Sequence, residues 1–370
     1  MLNLLREVRL GASCLPWRVA SGIGAWSGEG PPVHFVIEKA DWAIRWVGEH
    51  IYSEVEALMP GYIALATRPE RLVRRIVHFG SQYMWLSWGR HMSANNQYVV
   101  SFFHGKRDDG PEVSSHIDEF LKSVPRLARI VTGASLIEQR LLDWGVPRDK
   151  VVRIPIGVDT GMFQPPSPEQ KVMARARMGI PVNSFAVGSF QKDGVGWGDG
   201  MDPKLIKGPD LLLDTVKRLR GDMPLVVVLT GPARGYVKQG LERIGVPYVH
   251  RYVQSHADLV DCYHALDLYL VSSREEGGPM GLMESMASGV PVVATPVGMA
   301  PDLISDGITG GLADNCSSEE IARKARAIAS LSSEDLKMLI QRARDAVMPT
   351  DWSVVGRDHW FKVYQPLLQQ

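Results

Sequence analysis

The chain has 370 residues, 45% of them hydrophobic, and 41 Lys plus Arg balance 41 Asp plus Glu. That length calls for two domains, and the zero net charge lacks the basic excess expected of a nucleic-acid binder. Cys14, Cys262 and Cys316 are odd in number and far apart, which excludes a disulfide framework or zinc spacing and favours a reducing, cytoplasmic setting; no apolar run nears the ~18 residues of a membrane span, and no secretory signal pattern opens the chain.

Met1 to Leu10 has apolar residues at 2, 4, 5, 8 and 10 with Arg6 and Arg9 between, the pattern of a short amphipathic helix. It either covers the first domain's core or lies on a membrane surface. Ser21 to Pro32 is rich in Gly and Pro and reads as loop. Val33 to Ile37 is the first convincing strand, and a helix pattern follows through Ile44, Val47, Ile51 and Val55. The turn between them should face a ligand crevice. Its Asp41 and Trp42 suit a sugar acceptor, by hydroxyl hydrogen bonding and stacking, as well as they suit a cap and a packing aromatic.

Residues 61–66, 76–79 and 98–103 read as further strands. Arg68, Arg71, Arg74 and Arg75 between them form a solvated face or an anion-facing patch. His104 and Gly105 close the last of these strands, where crevice residues sit; a ligand contact and a core histidine are equally open there. Residues 129–135 are strand and turn, followed by a helix through Leu141 and Leu142. Residues 151–159 form a strand that runs into a linker.

A second domain opens at Phe185 to Lys192. A polar insertion, Asp193 to Pro203, carries Trp197 among glycines and aspartates and reads as a lid or a loop. Lys207 and Gly208 start a helix pattern. Buried strands follow at residues 225–231 and 248–253, helices at 318–330 and 333–347, and a closing helix from Trp352 through Phe361, Tyr364 and Leu367.

The most informative stretch is Leu268 to Gly298. It reads as a buried strand, a glycine-rich turn (Ser273 to Gly278), a short helix ending at Gly289, and another strand. Free backbone N–H groups at a helix N-terminus, with the helix dipole, favour an anion, and Gly277, Gly278 and Gly281 let a diphosphate approach the backbone near Met280. Glu276 stands before this helix N-terminus and would repel phosphates, so hydroxyl donors suit it better. Glu284, two turns along, suits the hydroxyl pair of a ribose. A carboxylate, an amide nest and a second carboxylate match a nucleotide-sugar's hexose hydroxyls, diphosphate and ribose.

These residues resemble the Glu-x7-Glu region of the retaining GT-B glycosyltransferases, family 4. The likeness rests on Ser272, Ser273, Glu276, Gly277, Gly281, Leu282, Glu284, the run from Gly289 to Ala294, Val297 and Gly298, and it continues through 302–312. It covers residues 95–370 well and 33–94 poorly. It implies two doubly wound Rossmann-like α/β domains facing across a cleft: an acceptor-side domain over 1–163, joined by the closing helix 352–370, and a donor domain over 164–351. It implies transfer of a hexose-type unit from a nucleoside-diphosphate sugar to a hydroxyl acceptor, on a glycan, a lipid-linked glycan or a small molecule, with retention. Neither a cofactor nor a metal is implied, and no Asp-x-Asp stands at a strand end.

By the same resemblance His104 faces the donor sugar, Lys207 faces the diphosphate, and backbone groups near Tyr252 and Val253 meet the base. Three departures stand out. Ser189 holds the position of an arginine, leaving Lys192 to supply the charge. Pro279 removes one amide donor from the turn. The turn after the first strand is not glycine-rich. Two rivals follow: a nucleotide-sugar epimerase or hydrolase on the same fold, and a non-catalytic sugar-nucleotide-binding subunit. The cysteine usage implies a cytoplasmic location, and the membrane-surface reading of residues 1–10 would add peripheral association at the inner membrane face.

Overall fold

The computed structural model describes residues 2–39 and 43–370. They form two compact units, one of residues 1–157 with 352–370 and one of residues 158–351. The second unit thus begins at Val158, where the expected boundary fell after residue 163. The Val158 amide donates to the Thr350 carbonyl at 3.0 Å, and Val158 bridges Asp351, so the linker strand is tied into the second unit from its first residue.

The first unit holds a six-stranded sheet of β1 (Val33–Val36), β2 (Ile63–Ala66), β3 (Ile76–Phe79), β4 (Gln97–Ser101), β5 (Leu127–Thr132) and β6 (Val151–Arg153), in the order β2-β1-β3-β4-β5-β6. Every pairing is parallel. β1 and β3 are buried at all four residues, which is why their sequences are unbroken apolar runs with one histidine each rather than alternating ones.

The first helix runs from Leu2 to Gly22, well past the Leu10 end expected from its pattern. Pro16 lies inside it. Proline forfeits one backbone hydrogen bond, and here it does so on the exposed side, while Cys14 and Ser21 stay buried against the unit. Trp17 packs on Trp26 at 5.1 Å between ring centres, and Glu7 meets His91 at 2.9 Å. The reading in which this helix covers the core holds for its inner face.

The C-terminal segment completes the first unit. Trp352–His359 packs along the helix Ala43–Leu58, with Trp352 edge-on to Trp46 at 5.2 Å. Gly356 is required there because a Cβ would overlap Glu54. Beyond it, the Tyr364 hydroxyl lies 2.8 Å from His78 Nδ1, and His78 Nε2 lies 2.9 Å from Ser101 Oγ. All these groups are buried.

The second unit holds β7 (Phe185–Ser189), β8 (Leu225–Thr230), β9 (Tyr248–Arg251), β10 (Leu268–Val271), β11 (Val292–Ala294) and β12 (Gly311–Leu312), in the order β12-β11-β10-β7-β8-β9, again all parallel. Chain direction across the sheet reverses between β7 and β10. In doubly wound sheets that reversal opens a crevice at the carboxyl ends of the two strands, and ligands bind there. Val187, Val227, Leu229, Leu268, Leu270 and Val293 form the centre of the core beneath it.

Burial holds three histidines of the first unit neutral. His34 and His359 are pulled down to about 4 by desolvation, and His78 is pulled well below its ordinary value by desolvation and then by His359. A histidine whose folded value is depressed adds stability above its unfolded value, about 6.5, and that stability drains away as pH falls toward the folded value. The first unit should therefore lose stability between pH 6.5 and 4. The fully buried His359 alone should account for on the order of 3 kcal/mol at 1.36 kcal/mol per unit. Urea unfolding of the wild type and His359→Phe at pH 7.5 and 5.0 checks this; equal loss in both proteins would exclude His359 as the source.

Candidate functional site

Two segments emerge at the switch point of the second sheet, one after β7 and one after β10, and they are laced together. The segment Leu205–Lys207 leads into the helix Pro209–Leu219 through Gly208 at φ 63°. A Cβ on Gly208 would fall inside the Ser272 carbonyl oxygen, so glycine is needed for both backbone angle and closeness. The Arg274 amide donates to the Ile206 carbonyl at 2.8 Å, and the Arg274 guanidinium forks onto Asp210 at 2.8 and 2.6 Å.

This lacing sets Lys207 Nζ 2.6 Å from Glu276 Oε1. Ser273 Oγ donates to the same oxygen at 2.8 Å, Gln191 Oε1 lies 3.1 Å from Ser273 Oγ, and Gln191 Nε2 donates to the Lys207 carbonyl at 2.8 Å. Both residues of the ion pair are partly exposed, so the pair faces a surface that a ligand can reach.

A third charge belongs to the cluster. Partial burial and then the charges of Lys207 and Lys192 pull Lys204 below its ordinary value, against the opposing pull of Glu276. Lys204 thus lies within electrostatic reach of Lys207, Lys192 and Glu276. Sequence reading missed Lys204 because it sits at the end of the insertion, outside any periodic element. Lys192, expected to supply a diphosphate charge, lies over the Trp197 ring at 3.7 Å from its centre.

The insertion Asp193–Pro203 is a closed loop with a fixed base. Gly194 bridges Pro203, and the Val195 amide donates to the Asp202 carbonyl at 2.9 Å. Asp193 and Arg234, both fully buried, meet at 3.0 Å, and Arg234 Nη1 donates to the Ser189 and Thr230 carbonyls at 2.6 and 2.9 Å. Burial pushes the Asp193 carboxyl up and the Arg234 guanidinium down, and each opposes the other's shift. Ser189 itself is fully buried. At the position where the resemblance implies an arginine, the strand end carries the Ser189 side chain into the core, and its carbonyl accepts from Arg234.

Glu284 is buried on the helix Met280–Ala287. Tyr263 Oη donates to its Oε2 at 2.6 Å, and His256 Nε2 lies 3.0 Å from its Oε1. Burial lowers the His256 pKa, but the hydrogen bond and charge of Glu284 outweigh it, and the ring stands above its ordinary value. Sequence spacing gave no sign of Tyr263 or His256. Gly281 packs so closely on the Tyr269 hydroxyl that any Cβ would overlap it. Gly277 and Gly278 occupy the turn before Met280, and Gly298 comes so near the Glu276 and Gly277 carbonyls that a Cβ would sit 2.9 and 2.8 Å from them. Tyr252 lines a cavity of about 640 Å³ between the insertion and the helix Gly235–Ile244, and Val253 follows it.

In the first unit, His104 lies just beyond the carboxyl end of β4; its carbonyl accepts from Gln82 Nε2 at 3.2 Å, and its side chain is exposed. Asp41 and Trp42 lie outside the described residues. Their neighbours Glu38 and Lys39 line a cavity of about 550 Å³ with Tyr83, Trp88, His116 and Glu119. It opens at the carboxyl ends of β1 and β2, beside this sheet's own point of reversal between β1 and β3. Among the described residues no cluster of three His, Cys, Asp or Glu side chains could hold a metal ion.

Residues 203–346 match the family described as "Glycosyl transferases group 1". The chain is 29% identical over 245 residues to a D-inositol 3-phosphate glycosyltransferase of Corynebacterium aurimucosum, covering 62% of this chain and 55% of that protein. It is 33% identical over 159 residues to the lipopolysaccharide core biosynthesis mannosyltransferase LpsB of Rhizobium meliloti, covering 41% of this chain and 42% of that one. Among solved structures, Anabaena Alr3699/HepE in complex with UDP and glucose superimposes with a TM-score of 0.70 at 15% identity, covering 92% of this chain and 100% of that chain. Sucrose-phosphate synthase from Thermosynechococcus elongatus does so with a TM-score of 0.72 at 15% identity, covering 92% and 99%. The two Rossmann-like sheets are those of the GT-B fold, and residues 203–346 are similar to the group 1 glycosyltransferases. The chain spans about half the length of the curated relatives it matches.

The buried Glu284–Tyr263 bond gives a test that needs no substrate. Truncating one partner leaves the other buried with one hydrogen bond fewer, beside His256 for Glu284 and Tyr269 for Tyr263, which costs roughly 1–3 kcal/mol. Glu284→Ala should destabilise the second unit by that amount, and the double variant with Tyr263→Phe should cost less than the sum of the singles. Thermal unfolding of the four proteins measures the coupling. Additive losses would mean the hydroxyl does not depend on the carboxylate.

Proposed function

We propose that the chain transfers a hexose-type sugar from a nucleoside-diphosphate sugar to a hydroxyl acceptor, with retention of anomeric configuration and without a metal. The observation that carries this reading is the Lys207–Glu276 pair at the carboxyl ends of β7 and β10, with Lys204 in reach of both charges. The names of the relatives support it: they act as inositol 3-phosphate glycosyltransferases and a core mannosyltransferase, and the Anabaena neighbour was solved with UDP and with UDP-glucose.

The lysines suit a leaving diphosphate. Transfer moves negative charge onto the departing phosphate oxygen while positive charge grows at the anomeric carbon. Preorganised cations beside the first and a carboxylate near the second lower the barrier without reorganising at the moment of reaction. Glu276 neutralises Lys207 at 2.6 Å. A diphosphate that takes Lys207 releases the carboxylate for the sugar hydroxyls. Glu284 suits the ribose through lone pairs that Tyr263 and His256 leave open. UDP and GDP both suit this arrangement, and the acceptor is a hydroxyl on a glycan, a lipid-linked glycan or a small molecule. The first unit presents His104 at a strand end, suited to the donor sugar, and an aromatic cavity with carboxylates, suited to a hydroxyl-rich acceptor.

A thermal-shift screen with UDP, GDP, ADP and their sugars tests the reading. A ligand at about 100 times its Kd adds about 2.7 kcal/mol, and no shift with any of them would overturn it. Turnover of a donor without acceptor would instead favour an epimerase or hydrolase. Lys207→Ala should weaken nucleoside diphosphate binding by about one to two decades, the worth of one charge-assisted contact. Glu276→Gln should leave that binding intact or tighter, since it frees Lys207, while transfer falls. Calorimetry and one rate assay separate the two; equal weakening by both variants defeats this division of roles.

His104→Ala should lower kcat with little change in nucleotide affinity. Tyr83→Ala should raise the acceptor KM by roughly two- to tenfold, the worth of a lost aromatic contact. A matching fall in nucleotide affinity for His104→Ala would assign that residue to folding instead. An unchanged acceptor KM for Tyr83→Ala would take the acceptor out of the cavity.

A further inference from the structure

The first helix has a second face that the fold leaves open. Val8, Leu15 and Val19 are 63%, 54% and 54% exposed, and Ile23 just beyond the helix is 77% exposed. At 3.6 residues per turn, positions 8, 12, 15 and 19 fall within an arc of about 60°, so Val8, Ala12, Leu15 and Val19 make one aliphatic stripe. The opposite side is fixed to the unit by Cys14, Trp17 and Ser21. Exposure of these residues is therefore not the fraying of a loose helix.

The charge around the stripe is predominantly positive. Arg9 and Arg18 flank it and are exposed, while the helix's single acid, Glu7, is turned toward His91 and Arg90 at 2.9 and 3.3 Å. The segment Pro69–Arg71 packs against the helix, and the Arg71 guanidinium lies 4.9 Å from the Trp17 ring centre. Arg68, Arg71 and Arg74 are exposed beside it. Residues 2–31 and 68–75 together hold seven arginines against three glutamates and no lysine or aspartate, in a chain whose net charge is zero.

We propose that this outer face of the first helix docks on an anionic lipid bilayer surface. A convex aliphatic stripe has no pocket to select a side chain, but it suits insertion among acyl chains at the interface. Arginines on its flanks can lay their stems along the lipid and hold their guanidinium groups at the phosphates. Each such cation near an anionic surface adds to the attraction, and salt screens it. Nothing in this inference depends on the transfer chemistry, so it stands or fails separately from the proposed activity.

Flotation of the full chain with vesicles tests it, using phosphatidylcholine alone and phosphatidylcholine with phosphatidylglycerol at 70:30, at 50 and 500 mM salt. The wild type should float with the anionic vesicles at low salt and bind the neutral ones at least about tenfold more weakly. Leu15→Asp/Val19→Asp should weaken binding by at least about tenfold, and Arg9→Gln/Arg18→Gln should erase the preference for the anionic lipid. Both variants alter exposed positions, so circular dichroism and thermal unfolding should match the wild type and show that the fold is intact. The proposal is overturned if the wild type does not float, or if Leu15→Asp/Val19→Asp floats equally. It is also overturned if sedimentation shows a wild-type dimer that this variant dissolves, because the face would then belong to a second copy.

Discussion

The contact on which the second unit's candidate site depends is the closeness of Gly208 to the Ser272 carbonyl. Two loops from neighbouring strand ends would ordinarily diverge, since each leads to its own helix. Here the missing side chain at residue 208 lets one backbone lie against the other, and the Arg274 fork on Asp210 fixes that approach. Lys207 then reaches Glu276 across the sheet's point of reversal, and Gln191 and Ser273 orient the pair. A lysine one residue before a glycine is unremarkable in a sequence. Lys207 reaches Glu276 because the glycine removes the atoms that would have kept it away.

The same unit spends a buried charge pair on the loop beside this site. Burying two ions is costly, and removing one partner leaves the other stranded. Asp193 and Arg234 are both inaccessible to solvent, and Arg234 also holds two strand-end carbonyls. A loop attached in this way has a rigid base, whatever its tip does. Trp197 and Lys192 are therefore presented from a fixed platform.

Much of the architecture was legible in the residues, for a physical reason. Strands buried on both faces need continuous apolar runs, and residues 33–37, 76–79, 225–231 and 268–272 show them. The turn that carries Glu276 could be read because glycine, carboxylate and helix start follow one another locally. What could not be read depends on pairs far apart in the chain. Lys207 with Glu276, Tyr263 with Glu284, and Asp193 with Arg234 become neighbours only through strand order. Lys204 carried no signal because no period runs through the insertion. The first helix looked short because Pro16, Gly11 and Ser13 resemble breakers. Its extent is set by what Cys14, Trp17 and Ser21 bury, which local propensity does not report.

The first unit is built from both ends of the described chain, and this has a consequence for its birth. The residues that cover the helix Ala43–Leu58 and reach His78 come from 352–364, after the whole of the second unit. On a ribosome adding about 5–20 residues per second, the second unit is complete while the first still lacks its last helix. During that interval the hydrophobic bed for Trp352, Val363 and Tyr364 stands open to solvent. The nascent protein therefore carries an exposed apolar surface on its earlier half until synthesis has passed its later half, a window in which a chaperone has something to hold.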